Sequence, residues 1–256
     1  MALALPFGLA IGLSLGALGG GGAVLALPVL VYVLGEDVHA ATTASLAVVA
    51  AAALAGGAAH ASQARVCWLQ VTVFVPAALA GAVAGTLANE AASGAVLLLG
   101  FVPLLLAAAA FTWSRAGAGT GEDESCPPLE RNRTLLAGVA VGALTGFFGV
   151  GGGFLVVPIL AFAMHFPLRR AIGTSLVIIG FVSVAGLAAH LWRDADLDAG
   201  LTAAMALGCA AGALAGARLG AHVPQRTLGR TFAVLLGAVG AYILLASALT
   251  GGVVGA

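Results

Sequence analysis

The chain has 256 residues, of which 61% are hydrophobic and only 8% charged, and its mean hydropathy is +1.12. Soluble domains carry about a quarter charged residues, so a soluble enzyme or binding module is excluded and nearly all of the chain must lie in a lipid bilayer or in protein surrounded by it. Formal net charge is zero, which removes the electrostatic basis for a nucleic-acid partner.

The N-terminus, Met-Ala-Leu-Ala-Leu-Pro, has no basic stretch before its apolar run. It is therefore read as part of the mature protein and not as a cleaved signal peptide. The first apolar segment, 3–34, is interrupted by Gly12-x3-Gly16-x2-Gly19-Gly20-Gly21-Gly22, followed by Leu25, Pro28 and Leu30. Segments 38–63, 67–88 and 92–114 follow, each long enough to cross the hydrocarbon as a helix. The stretch 115–132 holds Arg115, Glu122, Asp123, Glu124, Pro127, Pro128, Glu130 and Arg131 and reads as an exposed linker. Segment 133–164 then carries a second glycine cluster, Gly142-x3-Gly146-x2-Gly149-x-Gly151-Gly152-Gly153, followed by Leu155, Pro158 and Leu160. Three more spanning segments close the chain, at 170–192, 198–220 and 227–249. Cys67, Cys126 and Cys209 have no metal-ligand spacing, so three free thiols are expected, with no metal and no cofactor.

The two glycine clusters mark a duplication. Aligned without gaps, 12–60 against 142–190 gives 16 identities in 49 positions. These include Pro28 with Pro158, Ser45-Leu46 with Ser175-Leu176, and Ala58-Ala59-His60 with Ala188-Ala189-His190. After a shift of one residue, Gly81-x3-Gly85 matches Gly212-x3-Gly216. The expected organisation is a first membrane repeat at 1–114, the polar linker at 115–132, and a second membrane repeat at 133–256.

Arginine placement orients the halves. If each glycine-broken segment dips into the membrane and returns, nine of the ten arginines fall near one face and only Arg193 near the other. If every segment crosses, the split is five and five. Positive residues concentrate on the cytoplasmic side. The expected fold is thus an all-α integral membrane protein of two inverted repeats, each a glycine-broken re-entrant helical hairpin plus three transmembrane helices. The linker would be cytoplasmic, both termini outside, and the hairpin arms about 13–16 residues, enough to reach the midplane but not to span.

Broken helices inside a membrane commonly form substrate sites, with half-helix N-termini aimed at anionic groups. The helices restarting near Ala23 and Gly153 would offer unpaired amides at the positive end of the helix dipole. Glycine lets an oxyanion approach them closely. Candidate binding residues are Gly19, Gly21, Gly22, Ala23, Thr43 and Ser45 in the first copy, and Gly149, Gly151, Gly152, Gly153, Thr174 and Ser175 in the second. The hydroxyls could equally cap helices or bond back to preceding carbonyls. The lone Gly-x3-Gly pairs Gly81/Gly85 and Gly212/Gly216 are read as close helix packing. No acidic residue lies deep in a predicted span, which argues against a buried cation site. His60 and His190, at equivalent positions, are the candidates for a proton-linked role, although each could simply face interfacial water.

An enzyme is not expected. Ser175 and His190 are about 22 Å apart along one predicted helix, no Gly-x-Ser-x-Gly elbow appears, and no phosphate-loop motif is present. The glycine–proline pattern, the Gly173-Thr174-Ser175-Leu176 run with its weaker partner Thr43-Ala44-Ser45-Leu46, and the duplicated layout resemble the TauE/SafE sulfite-exporter family over essentially the whole chain. That resemblance implies a plasma-membrane permease for sulfite, sulfoacetate or other small organic or sulfur-containing anions, an exporter in direction. The expected function is secondary transport by alternating access with the site at the repeat interface; the alternatives are an anion channel, or a permease for a different small organic anion. A non-transporting scaffold would leave the clusters without a purpose. The first copy departs from the pattern at Ala23 and Ala44, where the second has Gly153 and Thr174, so the resemblance implies unequal half-sites. The expected partners are the small anion, the lipid bilayer and protons as coupling ion; a homodimer is left open.

Overall fold

A computed structural model describes residues 4–36, 38–90, 94–115, 125–148, 153–191, 198–220 and 222–249. These are helical throughout, with no strand among the described residues. The elements are α1 (Ala4–Leu18), α2 (Ala23–Pro28), α3 (Val38–Ser62), α4 (Trp68–Glu90), α5 (Gly94–Arg115), α6 (Arg131–Phe148), α7 (Gly153–Pro158), α8 (Leu168–Leu191), α9 (Ala199–Gly220) and α10 (Gln225–Leu249). Asp198 starts α9 as an N-cap, its Oδ1 accepting the Gly200 and Leu201 amides at 2.9 Å each.

Four helices among the described residues are long and apolar enough to cross a membrane: Ala40–Ser62, Trp68–Ala88, Leu168–Leu191 and Ala199–Gly220. Helices α5 and α10 have the length, 22 and 25 residues, but parts of each have side chains outside the described set. Large apolar side chains such as Val83, Leu136 and Leu207 are 64%, 72% and 69% exposed. Water would penalise such a surface, whereas lipid accepts it.

The first glycine cluster does break the chain. Helix α1 ends at Leu18, Gly19 has φ +79°, Gly20–Gly22 form a single 3-10 turn, and α2 begins at Ala23. A Cβ on Gly22 would stand 2.7 Å from the Ile11 carbonyl and 2.8 Å from Leu15 Cβ, so the chain folds back along α1 after the break. The helical segments that follow the two glycine clusters are shorter than the roughly 13–16 residues expected. Each is six residues of α-helix ending at a proline, then five residues of wider π-helix, Val29–Val33 and Ile159–Ala163. Pro28 and Pro158 have no N–H to continue the ladder, and the helix widens after each. The widening is the same in both copies: the Leu34 amide donates to the Val29 carbonyl and the Met164 amide to the Ile159 carbonyl, each at 3.1 Å.

Glycine stripes set the tightest packing. Gly8, Gly12 and Gly16 of α1 abut the backbone of Met205, Cys209 and Ala213 on α9, and Gly208, Gly212 and Gly216 return the contact to Leu5, Leu9 and Leu13. Partner numbers rise together, so α1 and α9 run parallel. The same arrangement joins α6 to α4, where Gly142 and Gly146 meet Ala78 and Ala82, and Gly81 and Gly85 meet Val139 and Ala143. Small residues let helix backbones touch where lipid supplies no hydrophobic drive to association. Gly81/Gly85 and Gly212/Gly216 are thus packing residues, and so are Gly12, Gly16, Gly142 and Gly146 at the front of the two clusters.

Helices α3 and α8 cross at the centre in opposite directions. Thr43 meets His190, Leu54 meets Gly180, Gly57 meets Val177, and His60 meets Gly173. Helices α5 and α10 also oppose each other, with Leu106 on Gly240 and the Arg230 guanidinium 5.4 Å from the centroid of the Trp113 ring.

The linker corrects the cysteine expectation. Cys67 and Cys126 form a disulfide with their Cα atoms 5.8 Å apart, and only Cys209 is a free thiol. Spacing along the chain could not show this, because the pairing depends on segment 125–130 lying across the start of α4. Gln70 fixes that path by donating from Nε2 to the Pro127 carbonyl at 2.7 Å. Arg170 Nη1 donates to the Ala64 carbonyl at 2.9 Å and lies 3.3 Å from Cys126 Sγ. Arg169 Nη2 donates to the Val223 carbonyl at 3.0 Å. Four regions therefore gather at one end of the bundle, here called the linker face: the α3–α4 loop with Arg65, the linker, the start of α8 with Arg169 and Arg170, and the loop before α10.

Candidate functional site

The helices that start after the two glycine clusters, α2 and α7, meet each other. Ala23 and Gly153 occupy equivalent positions in the duplicated sequence, and a Cβ on Gly153 would lie 3.4 Å from Ala23 Cβ and 3.0 Å from Ile179 Cδ1. Equivalent positions of the duplicated sequence are thus in contact. Gly19 adds a second link between them. Its missing Cβ would stand 2.6 Å from Val157 Cγ2 and 2.9 Å from Ser175 Oγ. Its φ of +79° is a conformation that side chains of L-residues disfavour. Gly19, Ala23, Gly153 and Ser175 thus surround one junction, in which Ser175 is fully buried.

Other expected site residues lie elsewhere or do different work. Gly22 packs against its own α1, and Gly21 lies within the 3-10 turn. Gly149, Gly151 and Gly152 lie outside the described residues. Thr174 is buried and turned toward the linker face, where its Oγ1 accepts the Cys67 amide at 3.1 Å. Ser45 Oγ donates to the Thr42 carbonyl and Ser175 Oγ to the Ile172 carbonyl, each at 2.8 Å. These are back-bonds of the kind serine makes in apolar helices. To donate to an anion, each hydroxyl would have to release its carbonyl by rotating about χ1.

The two histidines have unequal surroundings. His60 is 4% exposed, and its Nε2 lies 3.0 Å from the Gly16 carbonyl at the end of α1. Its Nδ1 is buried with no hydrogen-bond partner among the described residues. His190 is half-buried at the opposite end of the bundle, with Nδ1 3.2 Å from Thr43 Oγ1. Sequence reasoning found both residues but not their partners. Gly16 looked like part of the break, and Thr43 like part of the site. Among the described residues no group of three or more His, Cys, Asp or Glu side chains could hold a metal ion.

Comparison with known proteins places this architecture. The family model described as sulfite exporter TauE/SafE matches residues 4–243. A probable membrane transporter protein of Xylella fastidiosa strain 9a5c is 38% identical over 179 residues, 66% of this chain and 66% of that protein. The chain therefore spans just under two thirds of that relative's length. The probable membrane transporter protein YunE of Bacillus subtilis is 33% identical over 105 residues, 38% of each chain. A further probable membrane transporter protein, from Methanocaldococcus jannaschii, is 40% identical over 62 residues, covering 24% of this chain and 23% of its own. No solved structure matches.

Proposed function

The chain belongs to the sulfite exporter TauE/SafE family, and on that premise we propose that it is a secondary transporter that exports small sulfur-containing oxyanions such as sulfite, sulfoacetate or related organosulfonates. The observation that carries the reading is the contact between Ala23 and Gly153. It brings the starts of both restarted helices to one place. The anion binds there through amides and hydroxyls, from Gly19, Gly21, Gly22, Ala23 and Ser45 on one side and Gly149, Gly151, Gly152, Gly153 and Ser175 on the other; Thr43 and Thr174, held at opposite ends of the bundle by His190 and the Cys67 amide, take no part. No carboxylate stands among these residues to repel it.

The halves 1–114 and 133–256 are inverted repeats, each with a re-entrant hairpin. Helix directions support this. A hairpin that returns to its own face gives equivalent helices of the two halves opposite directions, as found for α3 with α8 and for α5 with α10. It also makes α1 parallel to α9 and α6 parallel to α4, as found. Eight simple crossings would make α3 and α8 parallel. The arginine-rich linker face is cytoplasmic, the protein is multi-pass in the plasma membrane, and His60 and His190 couple anion movement to protons.

The test is flux of labelled sulfite or sulfoacetate from liposomes holding the purified protein. Saturable flux above that of protein-free liposomes is expected, lost in a Gly151→Leu, Gly152→Leu variant that still purifies as a folded protein. No flux of either anion from the intact protein, or full flux from the variant, overturns the reading. Unitary currents in place of exchange would identify a channel built on the same hairpins.

A further inference from the structure

The two copies differ in one contact that their sequences would allow both to make. In the first, the end of α1 sits on α3. A Cβ on Gly56 would lie 3.5 Å from Ala213 Cβ and 3.7 Å from Gly16 Cα, and His60 reaches the Gly16 carbonyl at 3.0 Å. Both Gly56 and His60 are buried. The equivalent residues in the second copy are Gly186, His190, Gly146 and, with the shift of one, Ala82. Gly146 packs on the Ala82 carbonyl just as Gly16 packs on the Ala213 carbonyl. The α6–α4 pair is therefore assembled like the α1–α9 pair. Yet it does not reach α8 in the same way. Among the described residues, the space beside Gly186 meets only Leu46, at 3.4 and 3.6 Å, and His190 bonds to Thr43 instead. Both Gly186 and His190 are half-exposed.

A glycine within a helix costs about 0.5–1 kcal/mol relative to alanine. Gly56 offsets that cost by letting Leu176, Ala213 and Gly16 pack against it. Among the described residues Gly186 has only Leu46 beside it.

We propose that these are the two positions of one latch. In the state seen here the α1–α9 pair is shut on α3 at the linker face, and the α6–α4 pair stands off α8 at the opposite face. When the molecule faces the other way, the α6–α4 pair closes on α8: Gly186 seats against Gly146 and Ala82, and His190 exchanges Thr43 for the Gly146 carbonyl. At the same time His60 leaves the Gly16 carbonyl and the linker face opens. Both glycine-stripe pairs move as rigid units against the central α3–α8 cross. A difference between inverted copies that disappears on exchanging their roles is what two alternating states of one structure require. The proposal refines the transporter reading, but its structural test does not depend on transport.

The test uses two engineered cysteine pairs in full-length protein carrying Cys67→Ser, Cys126→Ser and Cys209→Ala. One is Gly56→Cys with Ala213→Cys, and the other Gly186→Cys with Ala82→Cys. Mild oxidation in native membranes is followed by gel mobility and by sulfite flux. Both pairs are expected to cross-link, each cross-link to abolish flux, and reduction to restore it. Cross-linking of the first pair but not of the second overturns the latch, whether or not the protein carries sulfite. Cross-linking of both pairs in a protein that moves no sulfite upholds the latch and overturns the substrate. A separate variant, Gly186→Leu, keeps the state seen here and is expected to retain or raise thermal stability while losing flux. Full flux from Gly186→Leu overturns the proposal.

Discussion

Gly19→Ala tests the junction's demand for a residue without a side chain, with Gly35→Ala as the comparison at a second glycine of positive φ. Both glycines have positive φ, +79° and +76°. Among the described residues nothing lies within 4 Å of a Cβ built on Gly35, whereas one built on Gly19 stands 2.6 Å from Val157 Cγ2 and 2.9 Å from Ser175 Oγ. Left-handed backbone costs a non-glycine residue about 1–2 kcal/mol, so Gly35→Ala should lose about that much stability and keep its flux. The second copy already tolerates this: its equivalent of Gly35 is His165, at φ +57°. Gly19→Ala bears a backbone cost of its own, since φ +79° with ψ −132° lies outside the left-handed well, plus overpacking against a buried wall, about 1–3 kcal/mol more. The added methyl also pushes Val157 and Ser175 away from the place where the anion is proposed to bind. Thermal unfolding in detergent reads the stability of both variants, and liposome flux reads function. Gly19→Ala should be the less stable of the two and should lose flux even where it remains folded. Equal stability of the two variants would refute the packing at Gly19. Full flux from a folded Gly19→Ala protein would refute its place in the binding site.

Gly212→Ala should destabilise by about 1–3 kcal/mol, since its Cβ would collide with the Leu9 carbonyl across the α1–α9 contact; a melt unchanged from the parent would contradict that register. Thr174→Val leaves the Cys67 amide without its acceptor and should cost about 1–3 kcal/mol, while Thr174→Ser should restore most of it; equal melts for the two would show that the hydroxyl is not the acceptor. If the linker face is cytoplasmic, Cys67 and Cys126 meet a reducing compartment that favours the dithiol. Membrane-impermeant maleimide should then label Cys126 in inside-out vesicles and not in intact cells. Labelling of intact cells would reverse the orientation.

Much of this structure could be read from the chain because glycine and proline act on the backbone directly. Pro28 and Pro158 announce the end of a regular helix whatever surrounds them, and the arginines at 65, 169 and 170 announce a shared face. What could not be read is which of two jobs a glycine performs. Gly16 and Gly19 stand three residues apart in one run, yet Gly16 is there for the Ala213 backbone and Gly19 for a turn that alanine would strain. The partner that distinguishes them lies on a helix near the other end of the sequence. The disulfide was hidden for a related reason: Cys67 and Cys126, 59 residues apart, meet only because the linker doubles back over α4. The histidines show the complement. Their equivalence was plain in the alignment, but only coordinates reveal that one is shut in and the other is not.

The exchange of first helices between the halves has a consequence for biosynthesis. Helix α1 is among the first segments made, yet the stripe it must fit, on α9, is among the last. Until then its glycines face lipid or chaperone with no backbone to meet. Helix α4 likewise waits for α6. The α4–α6 stripe can close once α6 is made, but the α1–α9 stripe stays open until α9 follows, so α1 finds its place only in a late step of assembly.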